Sequence, residues 1–406
     1  MHKVLSGWSD GKMNMEMKVD CLVVGAGPAG SVAAKEMARR GFNTLLVEKK
    51  QEIGIFKRCA EGVTRHGLEK LGIKVNEKSI ANRIKGAILY SPSGKYVVME
   101  GNDMEGYILE RKVFEKYLAS EAIKNGAKCM VKAQVIDMKR ENSMWNAKIN
   151  TIEGEIEVIA KIVIGADGVE SKVGRWAGLN SVNKLSDYHS CFQYEMANVK
   201  VDEKYIHLFF GNDVAPCGYA WIFPKEFSAN VGLGILEKKA KMKAFDYFKK
   251  FLEEHREIFS NSYPIEINAG GVPVAHFTEM VADGLMLVGD SAQLVNPIHG
   301  GGIVRAIHSS IIASEVAEKA LSKGDVGKEN LKEYEERWNE EYGEKNEKLM
   351  KLRYFLEKLE DKDFETLAEI LQGEDIFQLT QAKMTFFLKK LIKKPSLLLL
   401  AKKYLV

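Results

Sequence analysis

The sequence lacks the features that mark several large classes of protein. It has no apolar run of the ~18 residues that a membrane-spanning helix needs. Its five cysteines are scattered and form no C-x-x-C pair, which argues against a structural zinc site or a disulfide framework. The eight histidines show no ligand spacing, so we expect no metal site. With 59 Lys and Arg against 56 Asp and Glu, the net charge of +3 is too small to indicate nucleic-acid binding.

The positive charge of the chain is concentrated at its C-terminal end. Residues 376–406 contain seven lysines and no acidic residue. Basic pairs that alternate with apolar runs are typical of a helix lying on anionic lipid, although a helix end packed on its own domain can have the same composition. The N-terminal segment has no apolar core like that of a secretory signal. We therefore expect a cytoplasmic protein that associates peripherally with a membrane surface.

A glycine-rich turn near the N-terminal end indicates a nucleotide-binding unit. The apolar run at residues 19–24 is typical of a strand buried in a parallel sheet, and GAGPAG and a helical stretch follow it. In this context G-x-G-x-x-G binds a pyrophosphate through backbone N–H groups and the helix dipole. Glu48, at the end of the next strand, is placed to accept hydrogen bonds from a ribose diol and disfavours NADP. The glycines of the motif are Gly25, Gly27 and Gly30.

Two later motifs favour FAD over NAD. GADG at 165–168 ends a second apolar run, and VGDSAQLVNPIHGGGI at 288–303 opens a helix. Together with the first motif they resemble the flavoproteins of the p-hydroxybenzoate hydroxylase type, which implies FAD as the cofactor. The resemblance implies that Asp290 contacts the ribityl chain. It also implies that backbone N–H groups at a helix start face the flavin N1 edge, where they stabilise the anion of reduced flavin. The residues of that helix start are Gly301, Gly302 and Ile303.

Two further motifs narrow the resemblance. RCAEGV at 58–63 and PCGYAWIFP at 216–224 are similar to the geranylgeranyl reductase family, whose members saturate isoprenoid chains, including those of archaeal digeranylgeranylglycerophospholipids. The resemblance covers roughly residues 17–330. The chain has no second dinucleotide motif, so we expect no resident NAD(P) domain. The further flavin contacts that the resemblance implies are Ala29, Glu48, Arg58, Cys59, Ala60, Gly62, Arg111 and Val135.

These motifs and the changes in sequence pattern predict an α/β (α+β) fold. A Rossmann-like FAD-binding domain is interrupted by an antiparallel-sheet substrate domain and followed by a helical C-terminal region. The predicted parts are a disordered leader at 1–17, the FAD-binding domain at 18–90, 107–180 and 270–325, the substrate domain at 91–106 and 181–269, and the helical region with its basic tail at 326–406.

An aromatic strand is the candidate substrate wall. Tyr219, Trp221 and Phe223 alternate along one strand, so their rings face one side, and Pro224 ends the pairing. Such a wall suits a long apolar chain, which is held by buried area and shape alone. An ordinary core face of a sheet is the alternative interpretation. Pro224 is also a candidate for contact with the substrate, as is His299 in the glycine-rich loop.

The expected chemistry is the addition of a proton and a hydride to an isolated alkene. Proton delivery to the less substituted carbon develops cationic character that the faces of Tyr219 and Trp221 stabilise. The resemblance places Cys59 against the flavin, and the adjacent Arg58 favours its thiolate. Cys59 and a bound water are the two candidate proton sources, and a small buried side chain is the alternative role for Cys59.

The remaining expectations concern partners and competing functions. We expect an isoprenoid lipid as the substrate and ferredoxin or another low-potential reductant as the electron donor. The alternatives are a flavin monooxygenase of the same fold and a flavoprotein that passes electrons to a membrane quinone. The basic tail is compatible with the second of these, and the lack of a cysteine cluster for an iron–sulfur centre argues against a self-contained version.

Overall fold

The first sheet carries the glycine-rich turn. The structure is a computed structural model that describes residues 15–184, 187–274 and 279–405. In this part of the chain the first sheet has eight strands, with the order β17-β18-β11-β1-β2-β8 and with β10 and β9 added beside β11. The strands are β1 (Met15–Val24), β2 (Thr44–Val47), β8 (Lys128–Met130), β9 (Gln134–Glu141), β10 (Met144–Thr151), β11 (Gly154–Gly165), β17 (Val281–Ala282) and β18 (Leu285–Leu287).

The centre of this sheet is parallel and buried, as the apolar runs predict. β1 pairs in parallel with β2 and β11, and β11 pairs in parallel with β18. The helices that pack with this sheet are α1 (Pro28–Arg39), α3 (Arg111–Lys124) and α7 (Ile303–Lys323). Because the carboxyl ends of parallel strands share one edge, the loops after β1, β11 and β18 meet there.

The N-terminal strand begins earlier than the sequence predicts. Met15 and Met17 pair with Ile156 and Val158 of β11, so the last residues of the predicted leader are part of the sheet. The prediction was wrong there because the ladder extends beyond the apolar run, into residues whose side chains are polar or methionine. The rest of the predicted leader, residues 1–14, lies outside the described residues.

The second sheet is the predicted substrate sheet. Among the described residues it has seven strands in the order β16-β12-β15-β14-β13-β5-β6, all antiparallel neighbours except the parallel pair β13 and β5. The strands are β5 (Gly86–Tyr90), β6 (Tyr96–Glu100), β12 (Tyr188–Ala197), β13 (Tyr205–Phe209), β14 (Tyr219–Pro224), β15 (Ser228–Leu236) and β16 (Tyr263–Pro273). The helices α5 (Ala244–Glu254) and α6 (Arg256–Phe259) pack on it with an aromatic cluster.

The strand pairing differs from the predicted boundary at residue 90. Gly86 and Tyr90 pair with Tyr205 and Phe209, so β5 belongs to the second sheet, whereas the sequence placed residues up to 90 in the first domain. The apolar pattern of a strand does not predict which sheet the strand joins, because that depends on a partner strand far along the chain. The division of the chain into domains otherwise stays a prediction.

A small third sheet lies between the two larger ones. It pairs β3 (Gly62–Thr64) and β4 (Ile80–Ile84) with β7 (Gly106–Leu109), and α2 (Arg65–Lys70) follows β3. The short helix α4 (Val173–Trp176) follows β11. β3 continues directly from the RCAEGV motif, so the pairing with β7 holds that motif next to α3.

The C-terminal region is helical, and it packs on the rest of the molecule. Its helices are α8 (Lys328–Leu331), α9 (Glu333–Leu356), α10 (Asp361–Ile370), α11 (Gly373–Thr380), α12 (Thr385–Lys390) and α13 (Pro395–Leu405). α11 approaches β6 closely, since a Cβ on Gly373 would lie 2.1 Å from the carbonyl oxygen of Val98. Within the described ranges, none of the helices combines the length and apolar character needed to cross a membrane.

Candidate active site

The glycine-rich turn after β1 has the shape of a pyrophosphate cradle. Gly25 has a φ of +101°, and a Cβ there would lie 2.4 Å from the carbonyl oxygen of Ala166. A Cβ on Gly30 would lie 1.7 Å from the carbonyl oxygen of Gly25. A Cβ on Gly27, by contrast, would meet no protein atom within 4 Å, so it would occupy open space at the start of α1. The packing of the chain therefore requires the first and third glycines, and the second leaves room for a ligand.

The carboxylate of Glu48 is fixed beside this turn. Its Oε2 accepts a hydrogen bond from the N–H of Ala26 at 2.9 Å, and its Oε1 accepts one from the N–H of Lys50 at 3.0 Å. The side chain thus lies where the ribose of a dinucleotide would be recognised. Val135 is buried within β9, opposite Ile149, and lines neither of the two cavities described below. Its contact with the cofactor stays a prediction.

The predicted flavin contacts converge on a cavity of about 320 Å³, which we call the flavin cavity. The segments that carry these contacts are the start of α1, the RCAEGV motif, the first residue of α3 and the loop that leads into α7. The N-terminus of α7 faces this cavity, which suits the negative charge of reduced flavin. The predicted residues on its wall are Ala29, Arg58, Cys59, Ala60, Gly62, Arg111, Asp290, Gly301, Gly302 and Ile303.

Two charged side chains on the wall are suited to a polar ligand. Asp290 faces the cavity, where burial raises the pKa of its carboxyl group and the charge of Arg111 opposes that rise. The Nε of Arg111 is buried and has no hydrogen-bond partner in the described part of the chain. A buried donor without a partner is costly, so a ligand acceptor at this position stabilises it. The open space at Gly27 and the free donor of Arg111 both fit FAD.

Cys59 lies between the chain of its own loop and Arg111. Its sulfur accepts a hydrogen bond from the N–H of Glu61 at 3.1 Å. Burial works to lower the pKa of Arg111, but the Glu115 carboxylate and the Cys59 thiol together raise it above its usual value. The sequence assigned the neighbouring cation to Arg58, which was wrong. The side chain of Arg58 is 54% exposed and lies 3.5 Å from Glu170.

The aromatic strand β14 faces the flavin cavity, as its alternation predicts. Tyr219, Trp221 and Phe223 line this cavity, but Pro224 lines neither cavity. Pro224 was wrongly included among the substrate contacts because the residue after Phe223 points to the other face of the sheet. Its carbonyl oxygen accepts a hydrogen bond from the side chain of Asn82 at 3.0 Å.

Neighbouring groups hold the three rings in place. The hydroxyl of Tyr219 donates a hydrogen bond to the carbonyl oxygen of His299 at 2.7 Å, and burial raises the pKa of this tyrosine. The indole of Trp221 lies against β15, where a Cβ on Gly232 would be 2.7 Å from the ring. This glycine and Gly234 were missed in the sequence, although two glycines at alternate positions near an aromatic strand indicate space for its rings.

A second, larger cavity of about 1120 Å³ adjoins the flavin cavity, and we call it the chain cavity. It exceeds the ~300–1,000 Å³ of most ligand pockets. Tyr219, Phe223 and His299 lie on the walls of both cavities, whereas Trp221 lines the flavin cavity alone. Apolar side chains of the second sheet and of α10 and α11 form much of its wall, among them Ala87, Leu89, Leu208, Phe364, Leu367 and Leu371.

The contribution of the C-terminal helices to the chain cavity was missed in the sequence. Phe364, Leu367 and Leu371 recur at helical spacing on α10 and just after it, so they form one apolar face. That pattern predicts a buried face but not the surface that it covers. The helical region therefore does more than pack on its own domain, because it closes one side of the chain cavity.

Four buried charged side chains, one of them Glu61 of the RCAEGV motif, form a group that we call the ion cluster: Lys57, Glu61, Glu195 and Lys225. The Nζ of Lys225 lies 2.8 Å from Glu61 and 3.3 Å from Glu195, and Lys57 contacts both carboxylates. Burial works to raise the pKa of Glu195, but Lys57, Lys225 and Ser228 lower it below its usual value. This cluster was missed in the sequence, because its members come from segments that are far apart along the chain.

The ion cluster and its neighbours tie the Cys59 loop to the second sheet. Asn230 donates a hydrogen bond to the Glu61 carboxylate at 2.7 Å, and Gln193 donates one to the carbonyl oxygen of Cys59 at 3.1 Å. The indole N–H of Trp221 donates to the side-chain oxygen of Gln193 at 2.9 Å. The loop that carries Cys59 and the strand that carries the aromatic wall are thus joined by one buried network. In the stretches that the structure covers, no three His, Cys, Asp or Glu side chains are placed to hold a metal ion.

The fold and the flavin cavity define an FAD-dependent oxidoreductase, and comparison with known proteins agrees. Residues 20–183 match the family model for FAD dependent oxidoreductases. Residues 187–272 match the model for the geranylgeranyl reductase catalytic domain. A flavin-dependent brominase shares 16% identity and a TM-score of 0.73 over 95% of this chain and 98% of its own, which shows the fold alone.

Nearer relatives identify the family. Digeranylgeranylglycerophospholipid reductase of Methanocaldococcus jannaschii is 44% identical over 93% of this chain and 96% of its own. The same-named protein of Methanothrix thermoacetophila is 44% identical over 89% and 93%. A geranylgeranyl bacteriochlorophyll reductase-like protein from Thermoplasma acidophilum has a TM-score of 0.87, with 36% identity over 94% of this chain and 100% of its own.

The chain belongs to the geranylgeranyl reductase family. The predicted resemblance, the fold class and FAD as the cofactor are confirmed. The enzyme class is confirmed as well: an FAD-dependent oxidoreductase that acts on the carbon–carbon double bonds of geranylgeranyl groups.

Proposed function

We propose that this enzyme saturates the geranylgeranyl chains of a digeranylgeranylglycerophospholipid, the substrate in the names of its relatives. The observation that supports this most directly is the junction of the two cavities. Tyr219 and Phe223 line both, so one aromatic wall borders the flavin cavity and continues into an apolar space large enough for an isoprenoid chain. An alkene held against that wall lies next to the cofactor site.

The residues of the site have separate roles in cofactor binding, charge stabilisation and proton delivery. FAD, when bound, supplies the reducing equivalents, and Gly27, Arg111 and Asp290 are positioned to hold it. The rings of Tyr219 and Trp221 stabilise positive charge that develops on the protonated alkene and exclude the water that would trap it. Cys59 delivers the proton, with a water bound at the same place as the alternative source. Ferredoxin or another low-potential reductant is the proposed electron donor.

The test is the mass of the lipid product. We expect the chain, expressed beside a pathway that makes unsaturated digeranylgeranyl lipid, to raise lipid mass in steps of one H₂ per saturated bond. Mass spectrometry of the extracted lipids measures this. A protein with Gly30→Val is the matched control, because its Cβ collides with Gly25 and prevents the cofactor turn from forming. A gain of oxygen instead of hydrogen would identify a monooxygenase and contradict the proposal.

We further propose that the basic tail rests on the surface of the membrane that supplies the lipid. The tail packs on the protein through one face, since Phe387, Leu397 and Ala401 are buried. Ile392, 64% exposed, and Leu399, 73% exposed, lie on its surface, with exposed lysines close by in the sequence. Apolar side chains flanked by lysines are suited to the boundary of an anionic bilayer.

Loss of the exposed apolar pair is expected to weaken membrane binding. The double variant Ile392→Glu/Leu399→Glu removes the apolar surface that would insert into the bilayer and adds negative charge. Binding to phosphatidylglycerol-containing vesicles is therefore expected to fall about tenfold or more. Vesicle co-sedimentation measures the fraction bound. Ile152→Glu is the control, because Ile152 is an exposed isoleucine in the β10–β11 turn, outside the tail. Unchanged binding of the double variant would show that the tail only packs on its own domain.

A further inference from the structure

The two ends of the chain cavity differ in chemistry. The end between the second sheet and the helices α10 and α11 is apolar. The opposite end, between α2, α7 and α9, is lined by charged and polar side chains. We call it the polar end, and its side chains include Lys70, Arg305, His308, Glu341, Tyr342 and Lys345. A cavity that is apolar at one end and cationic at the other matches a lipid that carries an anionic head.

The charges at the polar end do not balance. Glu341 lies 3.1 Å from Lys70 and 3.5 Å from His308, and it compensates the charge of Lys70. Burial lowers the pKa of His308, which favours the neutral imidazole. Among the described residues, no carboxylate forms an ion pair with Arg305 or Lys345. The guanidinium of Arg305 donates to the carbonyl oxygen of Val295 at 3.0 Å, and the Nζ of Lys345 donates to the side chain of Gln381 at 2.7 Å. Their hydrogen-bond partners are therefore neutral.

The surroundings of both cations oppose their charge. Burial lowers the pKa of Arg305 to about 10. Burial also lowers the pKa of Lys345, and the nearby charges of Arg305 and Lys70 lower it further. The guanidinium carbon of Arg305 lies 5.0 Å from the centre of the Tyr342 ring, a contact too weak to replace a counterion. Arg305 is buried and Lys345 is partly exposed at the cavity wall. A buried cation is normally paired, so an anion in the cavity would supply the counterion that Arg305 lacks and would also contact Lys345.

This anion is distinct from the cofactor. Arg305 and Lys345 line the chain cavity and not the flavin cavity. Arg305 is in the first turn of α7 and Lys345 is in the middle of α9, so both are fixed by helices that also pack on one another. A guanidinium fork and an ammonium group together are the usual protein ligands of a phosphate.

We propose that Arg305 and Lys345 form a subsite for the phosphate group of the lipid substrate. This proposal rests on the proposed function, because it takes the chain cavity to be the place of the isoprenoid chain. The phosphate at the polar end directs the chain along the aromatic wall toward the apolar end. The double bonds then pass the junction of the two cavities at His299 and Tyr219, so head-group binding sets which bonds reach the cofactor site.

The test compares two lipids that differ only in the anion. The FAD-loaded enzyme is titrated with geranylgeranyl monophosphate and with geranylgeraniol, and the change in flavin absorbance gives each Kd. We expect the wild type to bind the monophosphate about tenfold more tightly or better, since a charge-assisted contact is worth that much. We expect Lys345→Met to lose about tenfold in affinity for the monophosphate and about none for the alcohol.

Two further variants separate the role of the charge from that of packing. Lys345→Arg keeps a cation and is expected to restore most of the affinity for the monophosphate. Lys348→Met removes a lysine from the same helix that pairs with Glu344 and does not line the chain cavity, so we expect wild-type Kd values for both lipids. Equal affinity of the wild type for the two lipids, or equal losses for both in Lys345→Met, overturns the subsite.

Free phosphate and the proposed function are tested separately. Inorganic phosphate that binds as tightly as geranylgeranyl monophosphate would assign the site to free phosphate and overturn the head-group assignment. A wild type that saturates geranylgeranyl lipid while Lys345→Met keeps its affinity for the monophosphate overturns the subsite alone. A wild type that prefers the monophosphate but saturates no lipid supports the subsite and overturns the proposed function alone.

Discussion

Replacing Cys59 by alanine is expected to lower the rate of geranylgeranyl saturation by about 100-fold or more, the usual effect of removing a general acid. The sulfur lies on the wall of the flavin cavity and contacts the guanidinium of Arg111, so its position is fixed on both sides. FAD content should stay at the wild-type level, because Cys59 is one of many predicted flavin contacts and Gly27, Arg111 and Asp290 are unchanged. The measurement is single-turnover saturation of geranylgeranyl lipid by enzyme reduced in advance, with the FAD-to-protein ratio taken from absorbance.

Two variants make the result specific to this thiol. Cys59→Ser keeps a small polar group of similar shape, and we expect it to be nearly as impaired, because a hydroxyl is a much weaker acid than a thiol. Cys129→Ala removes a thiol from β8, outside both cavities, and should have the wild-type rate. Full activity of Cys59→Ser with FAD bound would assign proton delivery to a bound water instead.

The cofactor half of the site could be predicted because its chemistry is local in the sequence. Gly25, Gly27 and Gly30 stand within a few residues of one another, and the turn that they form needs only the strand before and the helix after it. Gly301 and Gly302 likewise act through the start of the helix that they precede. Short motifs of this kind specify backbone shape directly, so the sharp turn after β1 and the start of α7 could be predicted from them.

The parts that were missed depend on contacts between distant segments. Arg111, and not the adjacent Arg58, faces Cys59, because β3 and β7 pair and bring the start of α3 to the loop. The pairing of β5 with β13 and the apolar face of α10 are similar cases. No local pattern shows which partner a strand or a helix face will meet. Pro224 is a different case, because it could have been excluded from the substrate contacts with the sequence alone: side chains alternate along β14, so the residue after Phe223 points to the other face.

The ion cluster was the largest omission, and its disruption is expected to have the largest effect on stability. The side chains of Lys225 and Glu61 are 2% and 1% exposed. Lys225→Met keeps the length of the side chain but leaves Glu61 and Glu195 with one cation fewer. Breaking a buried ion pair from one side costs about 3–5 kcal/mol in the free energy of unfolding. Urea unfolding followed by circular dichroism measures the loss.

The pH dependence gives this prediction a sign. In the wild type the folded-state pKa of Glu195 is depressed, so the stability that it contributes is present above its unfolded pKa and is lost as the pH falls through the folded value. In Lys225→Met the burial of Glu195 is opposed by one cation fewer, so the folded-state pKa of Glu195 rises. Protonation of Glu195 then removes its unpaired buried charge. The loss of unfolding free energy in Lys225→Met should therefore be smaller at about pH 5 than at about pH 8.

Two comparisons decide whether charge is the cause. Lys124→Met removes an exposed lysine that pairs with Glu121 on α3, and such a surface pair is worth about 1 kcal/mol at most. Lys225→Arg keeps the charge and should recover part of the stability. It should not recover all of it, because the guanidinium is larger than the ammonium group that it replaces. A deficit in Lys225→Met that is the same at both pH values would show lost packing instead of unpaired carboxylates. Because the same network holds the carbonyl oxygen of Cys59, a charge-dependent deficit would also mean that the reactive loop is held by buried electrostatics.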